Sequence, residues 1–342
     1  MDILKRCAVV FGGTGFIGTF YARHLLEGGA YDMVYLYDQE SIGLKQSARR
    51  RAMVLALDGV VEVLGDVRRP IDWFPDERVD LVANFAAVHR EPGHEDYEYY
   101  ETNLLGAENV CAWAERVGCN KLIFTSSIAP YGPGESLKDE QSLPVPVSAY
   151  GGSKLVAEQI HRKWLVADES NRHLVIVRPG VVFGPGEGGN VSRLIKAVLN
   201  RYFFYMGNRG TRKAGTYVKE LCVAMCWVLD KQIAEGKHFS LFNMSMNPGP
   251  SIEDYVAAVA SVAGKKVWVP SVPYGLLLVI AYGIDAFARP FGINHPFSPV
   301  RIRKLVRSNN IEPLFLVENG YPYCYSLESA FSDWRKECPE EW

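Results

Sequence analysis

In the first half of the chain, short unbroken apolar runs alternate with longer stretches in which apolar residues recur every three or four positions. The run "CAVVF" reads as a buried strand, followed by a glycine loop and the amphipathic "FIGTFYARHLLEGG", which Gly28 and Gly29 stop. "DMVYLYD", "VVEVLGD" and "VDLVANFAA" read as the next three strands. A long helical pattern, "YEYYETNLLGAENVCAWAERVG", leads to "KLIFTSS", and a second, "GGSKLVAEQIHRKWLVA", leads to "HLVIVRP". Strands without polar alternation, separated by helices, predict an α/β fold. Its sheet is parallel, doubly wound and covered on both faces.

The second half is less regular. "RPGVVFGPGEGGN" predicts a loop, "SMNPGPS" introduces the helix "IEDYVAAVASVAG", and prolines break up the rest. This shift predicts a lobe of residues 1–178, completed by part of 215–245, and a smaller, loop-rich lobe of residues 179–342. The longest apolar run, "LLLVIAY" from Leu276 to Tyr282, falls well short of the ~20 residues a membrane span needs. It reads as a core helix, with a surface-seeking helix as the alternative. The N-terminus does not read as a signal peptide, because its apolar run is too short and ends in glycines.

With 342 residues, the chain suits one large domain or two unequal lobes. A net charge of -2 excludes a protein built to coat nucleic acid, which needs a basic face. Seven cysteines without a CxxC pair point to a reducing, cytoplasmic setting. Cys222 and Cys226, one helical turn apart, read as part of an apolar stripe rather than as metal ligands.

"VFGGTGFIG" carries chemistry. Gly12 can make a tight turn, Gly15 lets backbone approach a pyrophosphate, and Gly18 allows close helix–strand packing. The N–H groups around Phe16 and Ile17, at the start of the helix, suit phosphate. Asp38 ends the next strand at the ~20-residue distance expected of a ribose-binding acid. A carboxylate there accepts from the 2′-hydroxyl and repels a 2′-phosphate, so NAD is favoured over NADP. Arg49 to Arg51 lie further along and read as solvated.

In "SAYGGSK", Tyr150 and Lys154 lie four apart, on one helix face after the fifth strand. An ammonium beside the phenol is expected to lower its pKa and make it a general base. Together with "GGTGFIG", "GDV", "NFAA", "NLLGAENV", "TSS…YG", "YGGSK" and "RPGVVFGPG", this chain resembles the extended short-chain dehydrogenase/reductase family, in its nucleotide-sugar epimerase/dehydratase group. "YVKEL" and "SIEDY" extend the likeness more loosely into the second half.

The resemblance implies a Rossmann-type fold and a role for each matching residue. Tyr150 would be the catalytic acid/base, with Lys154 binding the nicotinamide ribose and Ser127 bonding the reacting oxygen. Ser126 would support the strand end. Asp66 and Val67 would contact adenine, Ala86 and Ala87 would line the cofactor cleft, and Pro179 and Gly180 would wrap the carboxamide. Asn103 would be structural. The likeness also implies a homodimer formed through the helices that carry Asn103 and Tyr150.

Two departures sharpen the picture. Family 4,6-dehydratases carry an Asp-Glu pair after the catalytic Thr, where this chain has Ile128 and Ala129, which move no protons. The chemistry left is oxidation or reduction at a secondary hydroxyl, or 4-epimerisation through both. Where relatives carry a diphosphate-contacting asparagine this chain has Val181; the resemblance implies Asn190 and Lys213, with Arg212 beside it, as substrate contacts, while His89 could face the cofactor phosphate or the substrate and "RIRK" (Arg301 to Lys304) reads as further charge or a solvated helix face. An NAD-dependent enzyme of a nucleotide-diphosphate sugar is therefore expected. Three readings stay open beside an epimerase: an NAD(P)H-dependent 4-keto-sugar reductase, a sterol-type dehydrogenase at a membrane surface, and a non-catalytic NAD-responsive binding protein.

Overall fold

The computed structural model describes residues 6–44, 48–91, 93–288 and 307–342. The strands up to the first long connection are β1 (Cys7–Phe11), β2 (Met33–Asp38), β3 (Val60–Leu64), β4 (Val79–Asn84) and β5 (Lys121–Thr125). Next come β6 (Gly134–Lys138), β7 (His173–Pro179), β8 (Val181–Phe183), β9 (Tyr205–Met206) and β10 (Gly215–Tyr217). The last are β11 (Phe239–Met244), β12 (Ser271–Val272) and β13 (Asn309–Ile311). Seven of them form one parallel sheet in the order β11-β7-β5-β4-β1-β2-β3. The chain moves outward from β1 to β3 and then returns to the other side of β1. This reversal opens a crevice at the carboxyl ends of β1 and β4.

Helices α1 (Phe16–Glu27), α2 (Ala48–Leu55), α3 (Asp96–Arg116), α4 (Ala149–Val166), α5 (Asn190–Leu199) and α6 (Val218–Ala234) follow in chain order. α1 and α6 cover one sheet face, meeting Ala8 and Val10; α3 and α4 cover the other, meeting Cys7, Val9 and Phe11. Both faces of β1 are fully buried, which is why its sequence is apolar without alternation.

The second lobe is built on Phe183, Tyr217, Tyr255, Phe331 and Trp334, packed by α5, α7 (Ile252–Ala263) and a late helix over Leu327–Glu337. The segment expected to be a loop after Arg178 contains β8, which pairs with β10 in parallel. Burial of Phe183 on both sides supplies the driving force that composition did not reveal. α8 (Tyr274–Ala288) differs from its expectation as a core helix. Among its described residues, Leu277 and Ala281 alone are buried, against Phe204, Met206 and Val272 of the ribbon beneath it. Among the described residues, no helix is long and apolar enough to cross a membrane. The "RIRK" stretch lies outside the described residues.

Candidate active site

The glycine loop joins β1 to α1 at the crevice. Gly12 has φ +74°, and a Cβ there would lie 2.7 Å from the Ala86 nitrogen, so only glycine lets the loop meet the end of β4. Gly12 and Gly13 donate N–H to the Tyr37 carbonyl at 2.9 and 3.3 Å. Gly15 is the N-cap of α1 without any side-chain cap, and Gly18 lies against the loop carbonyls. The first N–H groups of α1, at Phe16 and Ile17, therefore remain for an anion. The residues present fit a dinucleotide.

Asp38 ends β2 and accepts from Thr14 Oγ1 at 2.7 Å and from the Gln39 N–H at 2.8 Å. The glycine loop thus fixes the Asp38 carboxylate through Thr14. Arg49 to Arg51 are not the solvated run expected. α2 buries Met53 and Val54, which draws the arginines in; Arg50 donates to the Thr14 carbonyl at 3.4 Å and Arg49 lies 3.5 Å from Glu337. Asp66 is clasped by Arg68 at 2.7 Å, which holds its carboxyl below the usual range. Val67 is buried, and its carbonyl accepts from Asn109 Nδ2 at 2.8 Å. Ala86 and Ala87 are half-buried in the loop after β4.

Ser148 caps α4 by accepting from the Gly151 N–H at 3.2 Å, which starts the helix just before Tyr150. A Cβ on Gly151 would lie 2.8 Å from the Ala129 carbonyl, so glycine allows the 3₁₀ turn Ala129–Tyr131 to rest on α4. That contact brings Ser127 close to Tyr150, where its hydroxyl opposes the rise of the phenol pKa. Ser127 Oγ accepts the Ala129 N–H at 3.1 Å, which leaves its own O–H as a donor.

Lys154 behaves differently from expectation. Burial pushes the Tyr150 phenol up to about 12, and the group opposing that rise is Ser127 rather than Lys154. Lys154 Nζ instead donates to the Thr125 carbonyl at 2.8 Å, 4.8 Å from the centre of the Phe124 ring. Burial lowers its pKa to about 7, opposed by the charge of Glu158.

Glu158 was not anticipated, although it stands four residues after Lys154 and so on the same helix face. It is fully buried, accepts from Ser126 Oγ at 2.5 Å, and is gripped by Arg178 through two bonds of 2.8 and 2.6 Å. The Arg178 guanidinium also lies over the Tyr131 ring, whose hydroxyl donates to Asn243 at 2.9 Å. Strands β5, β7 and β11 and helix α4 are thereby locked around the two serines. Asn103 plays a similar part from α3. Its Oδ1 accepts the Val88 N–H at 2.9 Å and its Nδ2 donates to Ser153 Oγ at 2.9 Å, which in turn donates to the Tyr150 carbonyl.

Where a dehydratase needs acid and base, Ile128 packs with Tyr131, Ala214 and Ile311. Its N–H donates to the Pro179 carbonyl at 3.2 Å, and Gly180 follows, bonded to the Met244 carbonyl at 2.9 Å. Lys213, next to Ala214, is half-buried and donates to the Arg307 carbonyl. His89 is exposed on the loop after β4 and bonds the backbone of Ala87. Arg212 is exposed and donates to the Gly249 carbonyl, while Asn190, exposed at the start of α5, accepts from Arg193 at 2.7 Å. Among the described residues, no hydrogen bond links Asn190 or Arg212 to Ser127 or Tyr150.

A family model described as the NAD dependent epimerase/dehydratase family matches residues 8–242. An Escherichia coli O157:H7 protein, N-acetyl-alpha-D-glucosaminyl-diphospho-ditrans,octacis-undecaprenol 4-epimerase, is 31% identical over 251 residues, covering 73% of this chain and 75% of its own. The UDP-glucose 4-epimerase of Bacillus subtilis (strain 168) is 26% identical, covering 76% and 83%. In fold, the chain is similar to the UDP-N-acetylglucosamine 4-epimerase from Methanobrevibacter ruminantium M1, with a TM-score of 0.73 at 18% identity over 99% and 100% of the two chains. The family model spans well over half of the chain, and the Escherichia coli relative is 31% identical across 73% of it: the chain belongs to the NAD-dependent epimerase/dehydratase family.

Proposed function

We propose that this enzyme is an NAD-dependent 4-epimerase of a hexose carried on a nucleoside diphosphate. The observation that carries the reading is Ser127 placed near Tyr150 beside Ile128 and Ala129, a hydroxyl pair without the second acid and base of a dehydratase. Gly12, Gly15, Gly18, Phe16, Ile17 and Asp38 would hold the pyrophosphate and adenosine ribose of NAD, with Asp66, Val67, Ala86 and Ala87 at the adenine side and Lys154, Pro179 and Gly180 at the nicotinamide side. When bound, NAD supplies a reversible hydride acceptor.

The chain's own residues handle the proton. In its phenolate form Tyr150 Oη would take the proton of the 4-hydroxyl as the carbonyl forms, and the resulting phenol would return it when the opposite face is reduced. Ser127 donates to the same oxygen and opposes the charge on the phenolate. Buried Lys154, aimed at the end of β5, adds positive potential at the cofactor side. Lys213 is the foremost candidate for the diphosphate, since it neighbours Ala214, which touches Ile128. Arg212, Asn190 and His89 would act further out.

Purified protein incubated with UDP-hexoses and UDP-N-acetylhexosamines should bring each 4-epimer pair to equilibrium, read by proton NMR, with no net NADH consumed. A stoichiometric demand for NADH would replace the epimerase with the 4-keto-sugar reductase. A second reading keeps the chemistry and exchanges the nucleotide for a polyprenyl diphosphate, as named for the Escherichia coli relative. The exposed apolar side of α8 favours it, and the same assay with polyprenyl-diphospho-N-acetylglucosamine tests it.

Residues 1–178 with part of 215–245 would form the NAD lobe and most of 179–342 the substrate lobe. A homodimer through α3 and α4 is supported by exposed Tyr97, Leu105 and Val156 on those helices. A reducing cytoplasm is supported by the seven free cysteines.

A further inference from the structure

We infer that α8 and the ribbon beneath it form a docking surface for an anionic phospholipid bilayer, in which the helix lies flat at the headgroup level. Leu276, Val279, Ile280 and Ile284 recur at helical spacing along one side of α8, and Val279 is 69% exposed. The adjoining strip carries the buried Leu277 and Ala281. Soluble helices normally reverse this arrangement, placing charge outward.

Exposed aromatic residues lie in the chain that leads into the ribbon beneath the helix. β9 and β12 pair beneath the helix, Phe204, Met206 and Val272 packing against it, while Phe203, Tyr205, Val267 and Val269 turn into the lobe's core. Tyr202 and Trp268 lie in the chain leading into β9 and β12. They are 64% and 83% exposed. Tyrosine and tryptophan at the rim of an apolar face suit a membrane–water interface, where one end of each ring stays wet.

Charge selects the occupant. Residues 199–210 and 264–288 carry Arg201, Arg209, Lys265 and Lys266 against one acid, Asp285, within a chain of net charge -2, and Arg209 pairs with Glu253 at 3.3 Å. Arg201, Lys265 and Lys266 are exposed. Cations flanking an apolar stripe complement anionic headgroups. With 15 residues, α8 is about 22 Å long, too short to cross a hydrocarbon core of ~30 Å, so it lies on the surface. This inference goes beyond the epimerase reading and does not depend on it: vesicle binding and sugar turnover are separate measurements and fail separately.

The test is co-sedimentation of the whole protein with vesicles of phosphatidylcholine alone or mixed with phosphatidylglycerol. The expected result is binding to the mixed vesicles that added salt weakens. Val279→Ser with Ile280→Ser, and separately Trp268→Ser, should each reduce it at least about tenfold. Lys265→Glu with Lys266→Glu should remove the preference for phosphatidylglycerol. An unchanged NAD-induced thermal shift shows that each variant is folded. Absence of binding at low salt, or binding indifferent to both apolar variants, overturns the inference. A lipid-free change of oligomeric state in Val279→Ser/Ile280→Ser, read by light scattering, overturns it in favour of a second copy of the chain.

Discussion

Ser126 Oγ donates to Glu158 Oε1 at 2.5 Å, and both side chains are buried one step behind the reacting groups. Ser126 precedes Ser127, and Glu158 follows Lys154 by one helical turn, so a single bond sets the spacing between strand end and helix. Arg178 closes the unit with two further bonds.

Glu158→Gln leaves the Arg178 guanidinium buried without its counter-charge. Breaking a buried pair from one side typically costs ~3–5 kcal/mol. Urea denaturation should show a loss of that order, and a loss below about 1 kcal/mol would remove Glu158 as the keystone of the site.

Tyr150→Phe keeps the ring but removes the proton carrier. Epimerisation should fall by roughly 10²–10⁴-fold, with the NAD-induced thermal shift retained. Full turnover in this variant would take the acid/base role away from Tyr150.

Lys154 makes stability depend on pH. Its ordinary pKa of 10.5 falls to about 7 on burial. Below pH 7 both folded and unfolded states carry the charge, and the folded state bears its desolvation. Between 7 and 10.5 the unfolded chain holds the extra proton, so this group's contribution rises with pH and is complete above 10.5. The stability of the wild type relative to Lys154→Met should climb across that window in denaturant titrations. A flat difference would mean that Lys154 stays charged.

Asp38→Ala removes the acceptor that Thr14 holds in place. Hydrogen bonds to a charged group are worth ~1.5–3 kcal/mol, so NAD should bind roughly ten- to a hundredfold more weakly by calorimetric titration. The preference for NAD over NADP should narrow as well. Unchanged discrimination would shift that task to another residue.

Ile128→Asp places a carboxylate among Tyr131, Ala214 and Ile311. A cost of about 1–3 kcal/mol is expected in denaturation, because no donor of this apolar set can satisfy it. Substrate should still yield no 4-keto-6-deoxy product by mass spectrometry, since one acid does not supply the acid/base pair.

Much of the site was legible because its signals are local. The strand, glycine loop and helix around Gly12 to Gly18 follow one another directly, and Asp38 ends the next strand. Tyr150 and Lys154 share a helix face by spacing alone. The partners of Lys154 were not legible. Thr125 precedes it by 29 residues and meets it only when β5 and α4 pack, which also turns the ammonium from the phenol it was expected to activate. Arg49 to Arg51 show the same limit, since whether a basic run is solvated depends on what its helix lies against.

The sequence by itself determined the parallel sheet, the dinucleotide loop and the missing dehydratase pair, because periodicity, glycine placement and residue chemistry act over a few positions. Tertiary structure decided which groups tune those residues and which apolar segment stays outside. Ser127 rather than Lys154 opposes the rise of the Tyr150 pKa, Glu158 and Arg178 lock the serines, and α8 keeps a hydrophobic side exposed. Burial is a property of pairs of distant elements, and no local pattern contains it.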